Sequence, residues 1–279
     1  YIISATFELG VAHDENIWLI KTNEIGNEVW AKSIGGDQNE MVTPNSVQQT
    51  SDGGYIIFAS TESYGSGGAD IWLIKTDENG DTLWTKNFGG INEDRAYSVQ
   101  QTADGGYIVA GWTSSFGAGS FDVWLIKTNS SGNIIWQKTH GGMGSDGAWS
   151  VQQTTDGGYV LTGWTYSYGP GYMGNAWLVK TDSLGNMQWN RTYQDNVNSK
   201  NVYSLVQSND GGYAFSGMID TSSEDVATDG WLVKTDSEGI IQWNQTYDVD
   251  EGFDYVLDLV QISDGGYAFS GTTGGFFLR

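Results

Sequence analysis

Cysteine is absent from the 279 residues, which excludes a disulfide framework and a thiolate zinc site and leaves the compartment unmarked by redox chemistry. Basic residues are scarce: 12 Lys and Arg stand against 34 Asp and Glu, a formal charge of −22. That balance argues against nucleic acid or an anionic membrane as partner, and it gives a solvated, self-repelling surface that attracts cations. No apolar run approaches the roughly 20 residues needed to span a bilayer, so no membrane insertion is expected of this segment. Residues 1–10 have neither the charged nor the apolar region of a signal peptide. The chain opens on Tyr1 rather than Met, and is expected to be a portion of a longer one, with any signal or anchor outside it. Histidine is limited to His13 and His140, and neither accompanies a serine or cysteine nucleophile in a recognisable elbow. Apolar residues at the 3.6-residue helical spacing are missing as well.

What the chain has instead is repetition. Trp72-Leu73-Ile74-Lys75-Thr76, the turn Asp77 to Asp81 and then Trp84 recur around Trp18, Trp124, Trp177 and Trp231, each with a second tryptophan at Trp30, Trp136, Trp189 and Trp243. The first tryptophans are 54, 52, 53 and 54 residues apart. A fixed period of that size without helical patterning points to a propeller or solenoid. With 40 Gly against 2 Pro, and 13 Trp, 15 Tyr and 10 Phe, the composition suits short strands joined by glycine turns.

Residues 97–139 show one unit in full. Tyr97 to Thr102 and Tyr107 to Thr113 flank Asp104-Gly105-Gly106, a tight-hairpin turn that recurs as Asp-Gly-Gly-Tyr from Asp52, Asp156, Asp210 and Asp264. Val123 to Thr128 turns through Asn129 to Asn133 into Ile134 to Thr139. Two tight hairpins alternating with two longer connections predict a four-stranded antiparallel propeller blade, with both longer connections on one face. Nearly all of the ten recurrent tryptophans are expected in the core.

The paired motifs Trp-Leu-Ile-Lys-Thr-Asp and Ser-Val-Gln-Gln-Thr…Asp-Gly-Gly-Tyr resemble the repeats of DGGY-type β-propellers of archaeal and bacterial surface and secreted proteins, and distantly the blades of quinoproteins. The resemblance covers essentially the whole chain. It implies an all-β propeller and an extracellular or cell-surface location; no residue carries over a quinone cofactor. The expectation is a single propeller domain over 1–279, with units of about 1–54, 55–106, 107–158, 159–212, 213–266 and a partial 267–279. Strands at 256–262 and 267–273 are expected to be completed by those at 17–22 and 28–32, closing a five-bladed ring by strand exchange. That the chain is part of a six- to eight-bladed propeller is the alternative. Tyr1 to Thr6 and the segment from Gly275 then remain as surplus strands, available for self-association.

Function is sought in the longer loops. Tyr64, Phe116 and Tyr168, each within Ser-(Tyr/Phe)-Gly, with Trp112, Trp164 and Tyr172, are the candidates for stacking on a ligand such as a sugar face; packing between blades is the competing role. Asp70, Asp122 and Asp229, and likewise Asp94, Asp146 and Asp254, repeat at fixed places, as structural bonds to loop amides would. Asp248, Asp250 and Asp254, with Glu251 between them, form an oxygen-ligand cluster for which calcium is the cofactor to consider, although the glycine of a full calcium loop is missing. Asn129, Asn190 and Asn244 open glycosylation sequons. The function expected is a non-enzymatic scaffold or adhesion module for a protein, a glycan or a second copy; a lectin-like module and a glycan-acting enzyme using loop carboxylates are the alternatives.

Overall fold

The structure is a computed structural model that describes residues 1–8, 15–43, 45–169, 174–193, 200–220, 228–248 and 252–275. Every helix or strand among them is a strand, as the missing helical periodicity requires. The chain divides into two compact units, residues 1–139 and 140–279.

In the first unit β1 (Ile2–Glu8), β2 (Glu15–Thr22) and β3 (Glu28–Ile34) form one sheet. A second contains β4 (Glu40–Met41), β5 (Val47–Gln49), β6 (Tyr55–Thr61), β7 (Asp70–Thr76) and β8 (Thr82–Phe88). The third contains β9 (Asp94–Gln101), β10 (Tyr107–Thr113), β11 (Asp122–Thr128) and β12 (Ile134–His140). In the second unit β13 (Asp146–Gln153), β14 (Tyr159–Thr165), β15 (Asn175–Thr181) and β16 (Met187–Tyr193) form one sheet. The other follows with β17 (Lys200–Gln207), β18 (Tyr213–Asp220), β19 (Thr228–Thr235) and β20 (Ile241–Tyr247). To it are attached β21 (Gly252–Gln261) and β22 (Tyr267–Gly275), through a single parallel pairing of Phe253 with Thr228. Consecutive strands within each sheet are antiparallel, the blade plan read from the hairpin spacing.

One pairing differs from the sequence reading. The edge of β2 offered there to the last strands of the chain is filled by β1, from Ile2 opposite Lys21 to Glu8 opposite Glu15. Tyr1 to Thr6 is therefore the second strand of its own sheet, in the register that Tyr55–Thr61 makes with β7. Closing the short connection to an adjacent strand costs less chain entropy than recruiting a distant one.

The second and third strands of the inner sheets are covered on both faces: every residue of β6, β7, β10, β11 and β15 is buried, hence their unbroken apolar runs, whereas β1, β2 and β22 are partly exposed. Fourth strands are exposed or half-buried along most of their length. Opposite Gly111 the first strand carries a one-residue bulge, and a Cβ there would meet the Arg95 carbonyl oxygen at 1.9 Å. Between neighbouring sheets the core repeats itself. Ile71, Phe88, Ala96, Val109 and Trp124 cluster in the first unit, and Ala176, Tyr193, Val202, Phe215 and Trp231, at the same places in the repeat, cluster in the second.

The tryptophans split by strand. Trp72, Trp124, Trp177 and Trp231 on third strands are 0–4 % exposed, whereas Trp18 is 39 % exposed. The second tryptophans stand on the fourth, outermost strands, so instead of filling the core they lie half-buried at the seam with the next sheet, and Trp243 is 38 % exposed. There four of them meet a tyrosine of Asp-Gly-Gly-Tyr: Trp30 with Tyr55, Trp84 with Tyr107, Trp189 with Tyr213 and Trp243 with Tyr267, all with ring centroids 5.9 Å apart. Gly80 closes the seam over Trp30; its φ is +78°, and a Cβ would lie 2.7 Å from the ring.

The Gln-Gln pair completes the seam. The Gln48 side chain accepts the Gln101 backbone N–H at 2.8 Å, and the Gln101 side chain accepts the Ser51 N–H at 2.8 Å. Gln152, Gln207 and Thr155 repeat the clasp at 2.6 and 2.9 Å, and Gln261 accepts from Asn209 at 2.9 Å.

Candidate functional site

The two ends of each sheet carry different polar chemistry. At the tight-hairpin end, the lysine of the third strand reaches the aspartate of Asp-Gly-Gly-Tyr. Lys75 Nζ lies 3.0 Å from Asp52, Lys127 2.9 Å from Asp104, Lys180 2.9 Å from Asp156 and Lys234 2.8 Å from Asp210. Each lysine is 4–6 % exposed and each aspartate 54–58 %, so the cation is buried and the anion faces water. Lys75 also donates to the Thr76 carbonyl at 2.7 Å, while Thr50 Oγ1 donates to Asp52 at 2.6 Å. The Thr50 hydroxyl, with the Lys75 ammonium and the Gly54 N–H, holds Asp52 at about 2. Burial pushes Asp104 up, but the Thr102 hydroxyl and Lys127 outweigh it and bring the group to about 2; the same balance sets Asp156 at about 2. These carboxylates are anions at neutral pH and serve as staples, not proton donors.

At the long-loop end the carboxylate itself is buried. Asp94 Oδ2 accepts the Gly90 N–H at 2.8 Å and the Ser115 hydroxyl at 2.8 Å, and Oδ1 accepts the Thr113 hydroxyl. Asp146 repeats this with Gly142, Ser167 and Thr165, and Glu40 accepts from Gly36 at 3.1 Å and Thr61 at 2.9 Å. At the matching place in the next sheet stands Lys200, its Nζ 5.1 Å from the Trp231 ring. At the first residue of the third strand, Asp122 accepts the Ala118 and Gly119 N–H groups at 2.7 and 3.0 Å, and Asp70 accepts that of Ser66 at 2.6 Å. Burial, opposed by the Ser66 N–H and reinforced by the charge of Asp94, raises Asp70. Raised carboxylates often mark reaction centres. Asp70, however, is 1 % exposed.

Above these networks three of the loops carry a ring. Tyr64 packs on Trp72 at 5.0 Å and Phe116 on Trp124 at 5.3 Å in the first unit; Tyr168 stacks on Trp177 at 5.4 Å in the second. Their backbone N–H groups are held by Thr61, Thr113 and Thr165 at 3.1–3.2 Å. The Tyr64 and Tyr168 hydroxyls donate to the Gly35 and Gly141 carbonyls at 3.3 and 2.8 Å. One side of each ring is covered, and the residues remain 43, 42 and 37 % exposed.

The other candidates separate from this set. Trp112 is 9 % exposed, its ring 4.6 Å from Phe121 and 5.9 Å from the Arg95 guanidinium, its Nε1 donating to the Tyr97 hydroxyl at 3.3 Å. Trp164 is half-buried against Trp149 at 5.3 Å. Tyr172, His13, Asp250 and Glu251 lie outside the described residues. Asp248 is exposed, whereas Asp254 is buried at the place of Asp94 and Asp146; among the described residues no group of three His, Asp or Glu could hold a metal ion. His140 is buried at the end of β12. Asn129 caps its turn by accepting the Ser131 and Asn133 N–H groups at 3.0 Å, while Asn190 and Asn244 accept from Trp177 and Trp231 Nε1 at 3.2 and 3.5 Å. The lysine staple and the glutamine clasp were missed in the sequence; their recurrence within Trp-Leu-(Ile/Val)-Lys-Thr and Val-Gln-Gln was the available signal.

The sequence matches no family model and no curated protein. Among solved structures, the WD40 domain of Neurospora crassa Pan2 is similar with a TM-score of 0.51 at 10 % identity, over 92 % of this chain and 68 % of that one. Sqt1 from Chaetomium thermophilum follows at 0.46 and 11 % identity, covering 93 and 76 % of the two chains. A putative glycoside hydrolase from Parabacteroides distasonis gives 0.44 and 9 % identity, covering 83 and 87 %. The likeness to the WD40 domain shows the fold alone, a β-propeller.

Proposed function

We propose that the chain is a non-catalytic extracellular or cell-surface scaffold that presents the long-loop ends of its sheets to a protein or glycan partner. One observation carries the reading. The loop carboxylates best suited to chemistry, Asp70, Asp94, Asp122 and Asp146, are buried and committed to loop N–H and hydroxyl groups, sheet after sheet. What remains outermost is the half-exposed ring of Tyr64, Phe116 or Tyr168, each on a buried tryptophan. An active site needs a few unlike groups converging on open space, whereas this arrangement suits display.

A lectin-like reading stands second, favoured by the 37–43 % exposure of Tyr64, Phe116 and Tyr168, with one face of each ring backed by tryptophan. Binding and turnover measured side by side on a panel of polysaccharides test both readings. The scaffold predicts no release of new reducing ends. Release that disappears in Asp70→Asn would overturn it in favour of an enzyme, and binding abolished in a Tyr64→Ala, Phe116→Ala, Tyr168→Ala variant would select the lectin.

A further inference from the structure

The hairpins that join third to fourth strands all turn on one device. At the first position stands Asn23, Asp77, Asn129, Asp182 or Asp236, and one side-chain oxygen there accepts the N–H groups two and four residues on, at 2.8–3.1 Å. The device uses one of the two terminal atoms of the side chain. The other is a carboxylate oxygen at Asp77, Asp182 and Asp236, and an amide nitrogen at Asn23 and Asn129. Two residues beyond Asn23 comes Ile25, and two beyond Asn129 comes Ser131. Residues 129–131 are therefore the one place where this turn coincides with an Asn-x-Ser sequon.

At Asn129 every polar group but Nδ2 is committed. The backbone N–H donates to the Asn133 carbonyl at 2.9 Å, the carbonyl accepts the Gly132 N–H at 3.0 Å, and Oδ1 holds the Ser131 and Asn133 N–H groups. Nδ2 has no bonded partner among the described residues, and Asn129, Ser130 and Ser131 are all exposed. A substituent on Nδ2 leaves Oδ1 able to accept, so the turn can carry one without rearrangement. The other two sequons lie in strands, Asn190 opposite Val179 in β16 and Asn244 opposite Val233 in β20. Asn190 is half-buried, its Oδ1 accepting from Trp177 Nε1 at 3.2 Å and its Nδ2 3.3 Å from Met187 Sδ; Asn244 accepts from Trp231 Nε1 at 3.5 Å. Both amides are thus drawn onto the third strand. A paired strand resists the bending that an enzyme imposes on its target, whereas an exposed turn is already bent.

We propose that Asn129 is the N-glycan acceptor of the folded chain. Its Nδ2 forms a C–N bond to the anomeric carbon of an oligosaccharide carried on a polyprenyl phosphate or pyrophosphate; the bond from that carbon to the phosphate oxygen breaks, the amide loses one proton and the lipid phosphate leaves. Such a donor is met during secretion, so the inference rests on the cell-surface reading above. Thr128 pairs with Tyr107 at the tight-hairpin end and Asp122 with Thr113 at the other. The glycan therefore stands at the opposite end of the sheet from Phe116 and leaves the long loops uncovered.

The test incubates the purified, folded chain with a polyprenyl-linked oligosaccharide and an oligosaccharyltransferase that requires only Asn-x-(Ser/Thr), and maps glycopeptides by mass spectrometry. Modification is expected at Asn129 and not at Asn190 or Asn244. Synthetic peptides of residues 125–135, 186–196 and 240–250 should all be modified, which assigns the selectivity to the fold. Ser131→Ala should abolish transfer to the folded chain. Asn129→Asp should abolish it too, yet leave the urea midpoint unmoved, because aspartate caps the same turn at Asp77, Asp182 and Asp236. An unmodified Asn129, or transfer to Asn190 or Asn244 of the folded chain on a par with it, overturns the proposal. Transfer does not depend on polysaccharide binding at the loop ends, so its failure leaves the scaffold reading standing, and the polysaccharide panel tests that reading separately.

Discussion

The two ends of a sheet solve one problem in opposite ways. At the hairpin end a lysine is buried and its aspartate stays in water; at the loop end the carboxylate is buried and bonded by hydroxyls and backbone N–H groups. The hairpin pairing is the same in four sheets, Lys75, Lys127, Lys180 and Lys234 with their aspartates. The loop end varies, with Glu40, Asp94, Asp146 and Lys200 at one position. An ion pair with one partner in water contributes little energy. A buried carboxylate fixes a whole loop, so changing it changes what the loop presents.

The comparison is broken most severely at the floor of the loop end. Trp177→Ala, at a position with 0 % exposure, should cost about 3–5 kcal/mol in urea unfolding and free the Tyr168 loop to cleavage by a protease. Asp94→Ala should cost about 2–3 kcal/mol by the same measurement, because the Thr113 and Ser115 hydroxyls and the Gly90 N–H lose their acceptor. Phe116→Ala removes a half-exposed ring and should cost about 1 kcal/mol, with a larger effect on any ligand than on the fold. Least of all, Lys127→Met should change stability by under about 1 kcal/mol, since Asp104 left alone is already solvated.

Acid sharpens the contrast further. Asp52, Asp104 and Asp156 sit at about 2 in the folded chain, below the ordinary value of about 3.9 for an unfolded aspartate. The unfolded state binds protons first, so their stabilisation is complete above pH of about 4 and is lost as pH falls toward about 2. Urea midpoints across that window should fall less steeply in an Asp104→Asn, Asp156→Asn variant than in the unaltered chain.

Much of this was legible because period and turn chemistry are local. Asp-Gly-Gly fixed the tight hairpins, and Gly80 and Gly132 fixed the others, since each needs a positive φ that few other residues adopt. The structural role of the repeated loop aspartates was also readable, from repetition itself. Hidden were the contacts that join distant parts of the repeat: Lys75 finds Asp52 across 23 residues, and Gln48 finds Gln101 across 53. Hydropathy cannot announce such pairs, because both partners read as surface residues. The second tryptophans misled for a related reason, as a large ring at a sheet seam has the same signature as one in a core. Trp112 and Trp164 carried no mark to separate a ring turned inward onto Phe121 or Trp149 from one offered outward, as Tyr64 is.

The glutamine clasp has a polarity with a wider consequence. Where the clasp is complete, one sheet contributes an acceptor amide from its first glutamine, and its neighbour contributes a backbone N–H and a second glutamine whose amide accepts in return. The sheets of β4–β8, β9–β12 and β13–β16 carry both glutamines of one standard coupling, as a railway carriage carries a hook at one end and a ring at the other. In-frame duplication or recombination of a single repeat creates a new seam whose complementarity is already encoded on both sides. Lineages carrying this unit can change length by whole repeats in one genetic event, while the loop ends diverge independently.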